Sequence, residues 1–585
     1  MFDESMNRTT KNKQLDLHVR YWTTDETGTY VCSRYYGSEF LGHSTAEDLL
    51  DKFKEGTKEL CLSKMLSLSM DGPNVNWRFV QLLKQEYSEQ FGGAQIQIVE
   101  SCGLHIMHNS IKAGFGVWQV EKLLKALHFL FHCAPARRQD YSLVTKSIKF
   151  PLPFCGHRWL ENLPALERAI EIWPSVVTYV DQVKLKKLPN PGSSSCDTVA
   201  EARMDPLTLP KLHYFMSISL NFQPFLTKYQ TDVPMIPFLC KDLEDLVRSL
   251  LWHFIKRDVL LVSVPKLVRL DVTDQSIWVS PKAVDIGMGA TAALKGTSGS
   301  QSRVGELSQL QFMKDCGIAL ANICKKILDK CPLKYHLVRN MTCLDPNKMY
   351  SEPDECLHKI KGLIQKFVQD KQLSSLTVGD VIAQQFESFL FSEARAESFK
   401  DFSPTEPNSR VDMFLHQHMS TSAPELWGFV KKLLILSHGQ ATVERGFSIN
   451  KEVETCNMDE QTVVAQRLIC DHLVNYCATA RTRYRMYLDE EKRKKTKDEQ
   501  MTKRKIAEDE LEVLRKKRRT IHSVCETLEK DADSFAEKAE STTGTKMAEL
   551  ITKSNTLRRR YKEKKEELDE LDKEIERKAS ELREI

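Results

Sequence analysis

The sequence predicts an α/β protein with a large all-α part: a mixed sheet interrupted by a long all-helical insertion, followed by a C-terminal coiled coil. Alternating apolar and polar residues mark several strands in the first hundred positions. From about residue 116 to 425, apolar residues recur at helical spacing almost without interruption. Beyond residue 480, a heptad seam runs through a highly charged segment. We therefore predict four parts, at 1–115, 116–425, 426–480 and 481–585.

The first part begins with strands. A very short strand is predicted in MFDES, and a hairpin follows in which LDLHVRYW and TYVCSRYYG flank the turn residues TTDETG. A helix starts in STAEDLLDKF, where Ser44 and Glu47 have capping-box spacing. The strand KMLSLSM ends at Asp71, a helix begins at Asn74, and QIQIVES is the last strand. The predicted order is strand, strand, strand, helix, strand, helix, strand.

Helices fill the second part, and stretches rich in Gly, Pro and Ser predict loops at 186–198, 289–302 and 402–410. In the tail, the segment STTGTK separates two heptad seams, which would be buried either by self-association or by folding into a helical hairpin. Arg518 and Lys578 occupy seam positions and weaken that core, so the number of subunits stays open. The seam residues are Leu511, Leu514, Arg518, Ile521, Cys525, Leu528, Ala532 and Phe535, and then Leu568, Leu571, Ile575, Lys578, Leu582 and Ile585.

Cysteine usage and hydropathy exclude two protein classes. The sixteen cysteines form no matched pair of Cys-x-x-Cys motifs, and the sequence shows no signal peptide, which indicates a reduced intracellular compartment. No stretch approaches the roughly 18 apolar residues that a membrane span needs. We therefore expect neither a secreted protein nor a membrane protein.

The positive charge is concentrated in the tail. Residues 481–585 hold 30 Lys and Arg against 26 Asp and Glu, a difference equal to the +4 of the whole chain. Local basic clusters of this kind are typical of nuclear localisation signals or nucleic-acid patches, and they also occur on the solvated face of a coiled coil. We predict a nuclear protein. The basic residues that we assign to nuclear localisation are Lys492, Arg493, Lys494, Lys495, Arg515, Lys516, Lys517, Arg518 and Arg519.

Three acids each lie where the end of a strand or helix meets a turn: Asp3 in FDES, Asp71 in LSMDGPN and Glu444 in TVERGFS. Three carboxylates that converge from separate elements can hold two hard divalent cations, the arrangement that activates water for phosphodiester displacement. Each acid also has a simpler interpretation: Asp3 as a terminal residue without a role, Asp71 as a turn residue, and Glu444 as a first-turn acid favoured by the helix dipole. Spacing alone does not decide between these interpretations.

The strand order is that of an RNase H-like domain, and ATVERGFS (441–448) resembles the carboxyl-terminal block of the hAT-family DNA transposases. The resemblance extends to FDESMNRTTKNKQLDLHVRYW, to SMDGPNVNW, to the C-x-x-H of SCGLH, and to GHRWLEN in the helical insertion. These five blocks occur in the family's order between residues 1 and 480.

The resemblance implies roles for these residues. Asp3, Asp71 and Glu444 would be the DDE acids that bind two Mg²⁺ or Mn²⁺ ions, with Glu444 returned to the site after the insertion. Trp159 would stack on or brace a displaced nucleotide, because stacking tolerates any base. Arg158 would meet phosphate.

Other residues of these blocks would support the site. Cys102, His105 and Asn74 would lie beside the acids, although Cys102 and His105 are equally compatible with a buried thiol and a structural histidine. Arg445 would pair with a carboxylate or with DNA phosphate. The resemblance also implies a dimerisation region, so a homodimer or higher homo-oligomer is expected. The same residues could instead pack within one chain: Leu434, Phe447, Val464, Leu468 and Ile469.

Two hypotheses about function result. The first is a metal-dependent hAT transposase-like enzyme that cleaves DNA and transfers a strand. The second is a catalytically inactive, transposase-derived nuclear protein that binds DNA or dimerises as a scaffold. This alternative stays open because the sequence begins two residues before Asp3, without the BED-type zinc finger that many relatives carry.

Overall fold

The computed structural model describes residues 1–7, 9–99, 103–296, 305–406, 409–454, 458–476 and 478–584, and it leaves out the side chains of 453, 473–500, 583 and 584. The chain divides into two compact units, Met1–Asp471 and His472–Ile585. Most of the described residues are helical, and the strands all lie in the first hundred residues.

Three antiparallel strands form the larger sheet, in the order β1 (Phe2–Met6), β2 (Lys13–Asp25) and β3 (Gly28–Leu41). The register pairs Phe2 with Leu17 and Asp3 with Asp16. This arrangement confirms the short first strand and the hairpin predicted from the sequence, and both hairpin strands are longer than the alternating runs indicated.

A second, parallel pair consists of β4 (Ser67–Leu68) and β5 (Gln97–Ile98). The amide of Phe2 donates a hydrogen bond of 3.1 Å to the carbonyl of Ser69, so the chain after β4 runs beside the start of β1. This hydrogen bond links β1, at the edge of the three-stranded sheet, to the chain that leaves the two-stranded sheet.

One face of the β1–β3 sheet is covered by α1 (Ala46–Gly56) and α2 (Asn74–Gln90). Phe2 packs against Phe79 with ring centroids 5.2 Å apart, and Phe53 contacts both rings. Helix α2 begins at Asn74, as predicted. The predicted capping box of α1 is wrong by one residue, because Thr45 caps the helix and Asp48, not Glu47, completes the box.

Helices make up the rest of the first unit, and a large apolar core runs through them. They are α3 (Gly103–Phe115), α4 (Val120–Phe131), α5 (Pro135–Thr145), α6 (Leu163–Lys184), α7 (Ser194–Met204), α8 (Thr208–Leu220), α9 (Gln223–Tyr229), α10 (Ile236–Trp252), α11 (Val264–Leu267), α12 (Gly287–Lys295), α13 (Glu306–Lys330), α14 (His336–Asn340), α15 (Pro346–Ser351), α16 (Pro353–Gln369), α17 (Leu376–Phe391), α18 (Glu397–Lys400), α19 (Val411–Met419), α20 (Pro424–Leu434), α21 (Ala441–Val453) and α22 (Glu460–Tyr476).

Two predicted loops need correction. The segment 289–302 contains most of α12, because its alanines and Leu294 favour a helix more strongly than its glycines disfavour one. The segment 186–198 contains the start of α7, which Ser193 caps by accepting a hydrogen bond from the amide of Cys196.

The second unit is a hairpin of two long helices, α23 (Ala478–Glu540) and α24 (Thr545–Glu584). Ile521, Cys525 and Leu571 form its small apolar core, which agrees with the predicted seams. The seam cations are paired with acids: Arg518 binds Asp572, and Lys578 lies 2.9 Å from Glu510. Folding of the tail back on itself is therefore the arrangement observed in one chain.

Of the helices that the structure describes, none has both the length and the apolar character needed to cross a bilayer.

Candidate active site

Glu444 lies in the first turn of α21, where its amide donates to the carbonyl of Gln440 at 3.0 Å. Its carboxylate is held by two cationic or polar groups. Oε2 accepts a hydrogen bond of 3.2 Å from Nη2 of Arg158, and Oε1 lies 3.3 Å from Nδ1 of His105. The sequence prediction placed all three residues in one site, and the structure brings them together.

Asp3, the second residue of β1, is only 5% exposed. Its Oδ1 accepts a hydrogen bond of 2.8 Å from the amide of Glu4. Burial raises the pKa of Asp3 well above its ordinary value, and the negative charges of Asp71, Glu444 and Asp16 raise this pKa further. In this environment the ionised form of a carboxyl group is destabilised relative to the protonated form.

Asp71 follows β4 and is half-buried. Burial raises its pKa, the charge of His105 partly offsets that effect, and the charges of Glu4 and Glu444 raise the pKa again. Its Oδ1 accepts a hydrogen bond of 2.5 Å from Nδ2 of Asn76. The three acids, far apart in the sequence, are thus close enough for their charges to act on one another.

The supporting asparagine is not the one named from the sequence. Asn74 is exposed at the start of α2, whereas Asn76 is buried and bonds Asp71. Side chains two residues apart on a helix differ in direction by more than half a turn. The strand-to-helix spacing alone therefore does not identify which asparagine faces Asp71. Cys102 lies outside the described residues.

Trp159 is 1% exposed and belongs to the core of the helical part. Its indole Nε1 donates to the carbonyl of Gly156 at 3.1 Å, and its ring packs against Phe154 and Phe215. The predicted stacking on a nucleotide needs a free ring face, which this packing does not leave. Its neighbour Arg158 remains partly accessible and also bonds Glu161 at 2.9 Å.

Arg445 has an exposed side chain, with Nη2 3.8 Å from Oδ2 of Asp232. This geometry favours the first of its two predicted partners, a carboxylate. The pair is loose and open to solvent, so it leaves the guanidinium accessible to other anions.

A polar network that the sequence analysis missed lies beside the acids. Asp16, the cross-strand partner of Asp3, accepts hydrogen bonds from Gln14, Ser38 and Asn450 at 2.6–2.7 Å. Asn450 in turn accepts from Nε of the buried Arg467 at 2.9 Å. Asp16 is one of the polar residues of the alternating strand, and nothing in the local pattern shows that Asn450 of α21 covers it.

The acids partly fit a divalent cation. Asp3 and Asp71 supply the hard oxygen donors that Mg²⁺ and Mn²⁺ prefer, and a cation would offset the repulsion between their charges. In the structure, the carboxylate of Glu444 is directed to Arg158 and His105 instead. Accordingly, no cluster of three or more His, Cys, Asp or Glu side chains suited to a metal occurs among the residues described.

The predicted dimerisation residues divide into three groups by burial. Leu434 is fully buried, which places it in the core of one chain and corrects its assignment to a contact between chains, and Phe447 and Val464 are half-buried. Leu468 and Ile469 on α22 are 41% and 53% exposed and keep apolar surface available.

The described part of the basic clusters lies on the helical hairpin. Arg515, Lys516, Lys517 and Arg519 are exposed, whereas Arg518 is engaged with Asp572. The side chains of Lys492, Arg493, Lys494 and Lys495 lie outside the described residues.

Comparisons with known proteins add no name to this geometry. No protein-family model matches the chain, and no curated protein matches it.

Proposed function

We propose that this chain is a hAT transposase-like protein that cleaves DNA and transfers a strand with Asp3, Asp71 and Glu444 as its acid triad. The observation that carries the proposal is the electrostatic coupling of the three acids. The charges of Asp71 and Glu444 both raise the pKa of Asp3, and that of Glu444 raises the pKa of Asp71. Raised pKa values caused by acids from distant parts of a chain are typical of functional sites.

The strand arrangement supports an RNase H-like fold. Three antiparallel strands come first, and β1 lies between β2 and the chain that follows β4. Asp3 stands on β1 and Asp71 follows β4, so both acids lie where these neighbouring strands meet. The helices between α3 and α21 then constitute the insertion that precedes Glu444.

Asp3 and Asp71 would hold Mg²⁺ or Mn²⁺, and Glu444 would complete the set. When bound, the ions would lower the pKa of an attacking water or hydroxyl and stabilise the charge on the departing oxygen. Water attack breaks one P–O bond of the backbone and leaves a 3′ hydroxyl and a 5′ phosphate. In strand transfer, that hydroxyl attacks a second phosphodiester, one P–O bond replaces another, and no covalent bond to protein forms.

The chain's own residues would orient the DNA. Arg158 presents a partly exposed guanidinium next to Glu444 and can donate two parallel hydrogen bonds to a phosphate. Arg445 offers a second exposed cation on the next residue of α21. Both would position the DNA backbone without reading its sequence.

The alternative is a transposase-derived nuclear scaffold that binds DNA or dimerises without catalysis. The observation that favours it is that the carboxylate of Glu444 is already occupied, since it pairs with Arg158 and lies against His105. In this function the exposed Leu468 and Ile469 would contribute to a homodimer, and the hairpin of α23 and α24 would pair with others as a coiled coil. The basic residues from 492 to 519 would direct the protein to the nucleus.

The first proposal is tested by cleavage of supercoiled plasmid by the full chain with Mn²⁺. The Glu444→Gln variant removes the charge at constant size, and Glu425→Gln makes the same change at an exposed position at the start of α20. We expect wild type and Glu425→Gln to nick the plasmid, and Glu444→Gln to fall to the level seen in EDTA. Equal cutting by all three proteins would refute the triad.

The scaffold is tested separately, by removing residues 481–585. That deletion should abolish nuclear accumulation and reduce self-association, as measured by fluorescence microscopy of a tagged chain and by light scattering. An unchanged deletion variant would argue against the assignment of these functions to the tail.

A further inference from the structure

Helix α21, which carries Glu444, is hydrogen-bonded to the sheet by two buried carboxamides, one just before its first residue and one in its last turn. Gln440, which precedes the helix, donates from Nε2 to the carbonyl of Phe2 at 2.7 Å. Asn450, in the last turn, donates from Nδ2 to Oδ2 of Asp16 at 2.7 Å. Both side chains are buried.

The two hydrogen bonds end on either side of Asp3. Phe2 is the residue before Asp3 on β1, and Asp16 is the residue opposite Asp3 on β2. Glu444 lies on α21 between the two carboxamides. Because a helix is stiff over three turns, fixing both of its ends against this part of the sheet also fixes where Glu444 stands relative to Asp3.

The carboxamide of Gln440 is unfavourable if its role is stability alone. Gln440 is fully buried, and within the described part of the chain its Oε1 has no hydrogen-bond partner. Burying an unpaired polar atom is unfavourable, and an apolar side chain of similar size would avoid that penalty. The bond to Phe2 is the single polar contact that the Gln440 side chain makes among the described residues.

The second anchor belongs to a larger buried network. Asn450 also accepts from Nε of Arg467, whose guanidinium lies 4.7 Å from the ring centroid of Tyr35. Gly446 allows this close approach, because a Cβ there would come within 2.9 Å of Nη2 of Arg467. Helices α21 and α22 therefore meet the sheet through polar groups with fixed hydrogen-bond directions, which define a single position more strictly than apolar packing does.

We propose that Gln440 and Asn450 are positioning residues that hold Glu444 beside Asp3 and Asp71. They touch none of the reacting atoms and act through the placement of α21. This inference rests on the proposed function, in which the three acids bind a divalent cation together.

The test uses the full chain with Gln440→Met and Asn450→Leu, which keep the side-chain size and remove the hydrogen bonds. The control is Asn347→Leu, because Asn347 makes the same kind of bond, from Nδ2 to the carbonyl of Phe402 at 2.6 Å, within the helical part. Amide hydrogen exchange of 441–453 and Mn²⁺ affinity by calorimetry are measured for each protein. Gln440→Met guards against loss of folding, because it removes the unpaired Oε1 and deprives only the carbonyl of Phe2 of a donor, whereas Asn450→Leu deprives Asp16 and Arg467 of a partner.

We expect exchange in α21 to rise about tenfold or more in both variants, as the loss of one buried hydrogen bond would produce. Mn²⁺ affinity should fall as far as it falls in Glu444→Gln, while Asn347→Leu matches wild type in both measurements. Unchanged exchange in α21 would overturn the anchoring. Faster exchange with wild-type Mn²⁺ affinity would reduce the two residues to a structural role. Lack of Mn²⁺ binding by wild type would instead refute the proposed function itself, and the exchange data would still report on the anchors.

Discussion

The two faces of the β1–β3 sheet are built from the same strands and have opposite characters. On one face, Phe2, Leu15 and Leu17 pack with Phe53 and Phe79 in an apolar core. On the other face, the alternate residues of the same strands are polar and equally buried: Asp3, Gln14, Asp16 and His18.

The apolar face stabilises the fold, whereas the polar face carries the groups of the site at a cost in stability. Each side chain of the apolar face gains free energy when it leaves water. On the polar face, burial raises the pKa of Asp3 and Asp16, and it lowers the pKa of His18 to about 3. Burial there opposes the charged forms, so this face is stable only through its hydrogen bonds and through the apolar face behind it.

The largest loss of stability is expected on the apolar face, at Phe79. Phe79→Ala should lower the free energy of unfolding by about 3–5 kcal/mol, because it opens a cavity between the rings of Phe2 and Phe53. Urea unfolding followed by circular dichroism measures the change. A loss below about 1 kcal/mol would mean that the apolar face does not support the sheet as described.

A smaller loss is expected on the polar face from Asp16→Asn. Asp16 accepts hydrogen bonds at both oxygens, and an amide nitrogen at either position would face a donor. We expect a destabilisation of about 1–3 kcal/mol in the same assay. An unchanged stability would show that the network around Asp16 is dispensable.

The same substitution at the cross-strand partner should act in the opposite direction. Asp3→Asn removes a buried charge and can keep the bond from the amide of Glu4, so in EDTA it should stabilise the protein by about 1–2 kcal/mol, the usual size for a stabilising substitution.

The effect of Asp3→Asn should also depend on pH. Because folding raises the pKa of Asp3, the folded protein binds this proton more tightly than the unfolded chain does. The stability that protonated Asp3 contributes is fully present below the unfolded pKa and is lost as pH rises through the folded pKa. The advantage of Asp3→Asn should therefore disappear at acidic pH and grow toward neutral pH. A variant less stable than wild type at neutral pH would contradict this account.

The smallest effect on stability is expected at Arg445, which lies outside both faces. Its exposed pair with Asp232 should contribute no more than about 0.5 kcal/mol, so Arg445→Ala should unfold like wild type. If Arg445 binds a phosphate, the variant should reduce the slope of log affinity against log salt for duplex DNA by about 1. If the variant shows the wild-type slope, Arg445 does not bind phosphate and Asp232 is its partner.

The local elements could be predicted from the sequence because their signals are local. The hairpin turn within TTDETG and the start of α2 at Asn74 depend on neighbouring residues, and both are confirmed. The apolar residues around Ile521 lie in the small core between α23 and α24. The capping residue of α1 was misplaced by one position, since Ser44 and Thr45 are both good caps and only the backbone decides between them.

The surroundings of the site could not be predicted, because they depend on contacts between distant segments. Nothing near Trp159 shows that Phe154 and Phe215 enclose it. Nothing near Asp16 indicates that Asn450 covers it. An alternating pattern predicts a strand with one exposed face, whereas both faces of this strand are buried. The acids themselves were singled out by their positions at element ends, and the resemblance of their blocks then implied their shared role.

The measurement that tests the central claim most directly is the thermal unfolding of wild type and Asp71→Asn with and without Mn²⁺. If Asp3, Asp71 and Glu444 form one cation site, wild type should gain about 2.7 kcal/mol at a Mn²⁺ concentration one hundred times its Kd, and Asp71→Asn should gain far less at that concentration. An equal gain in both proteins, or none in wild type, would contradict the account.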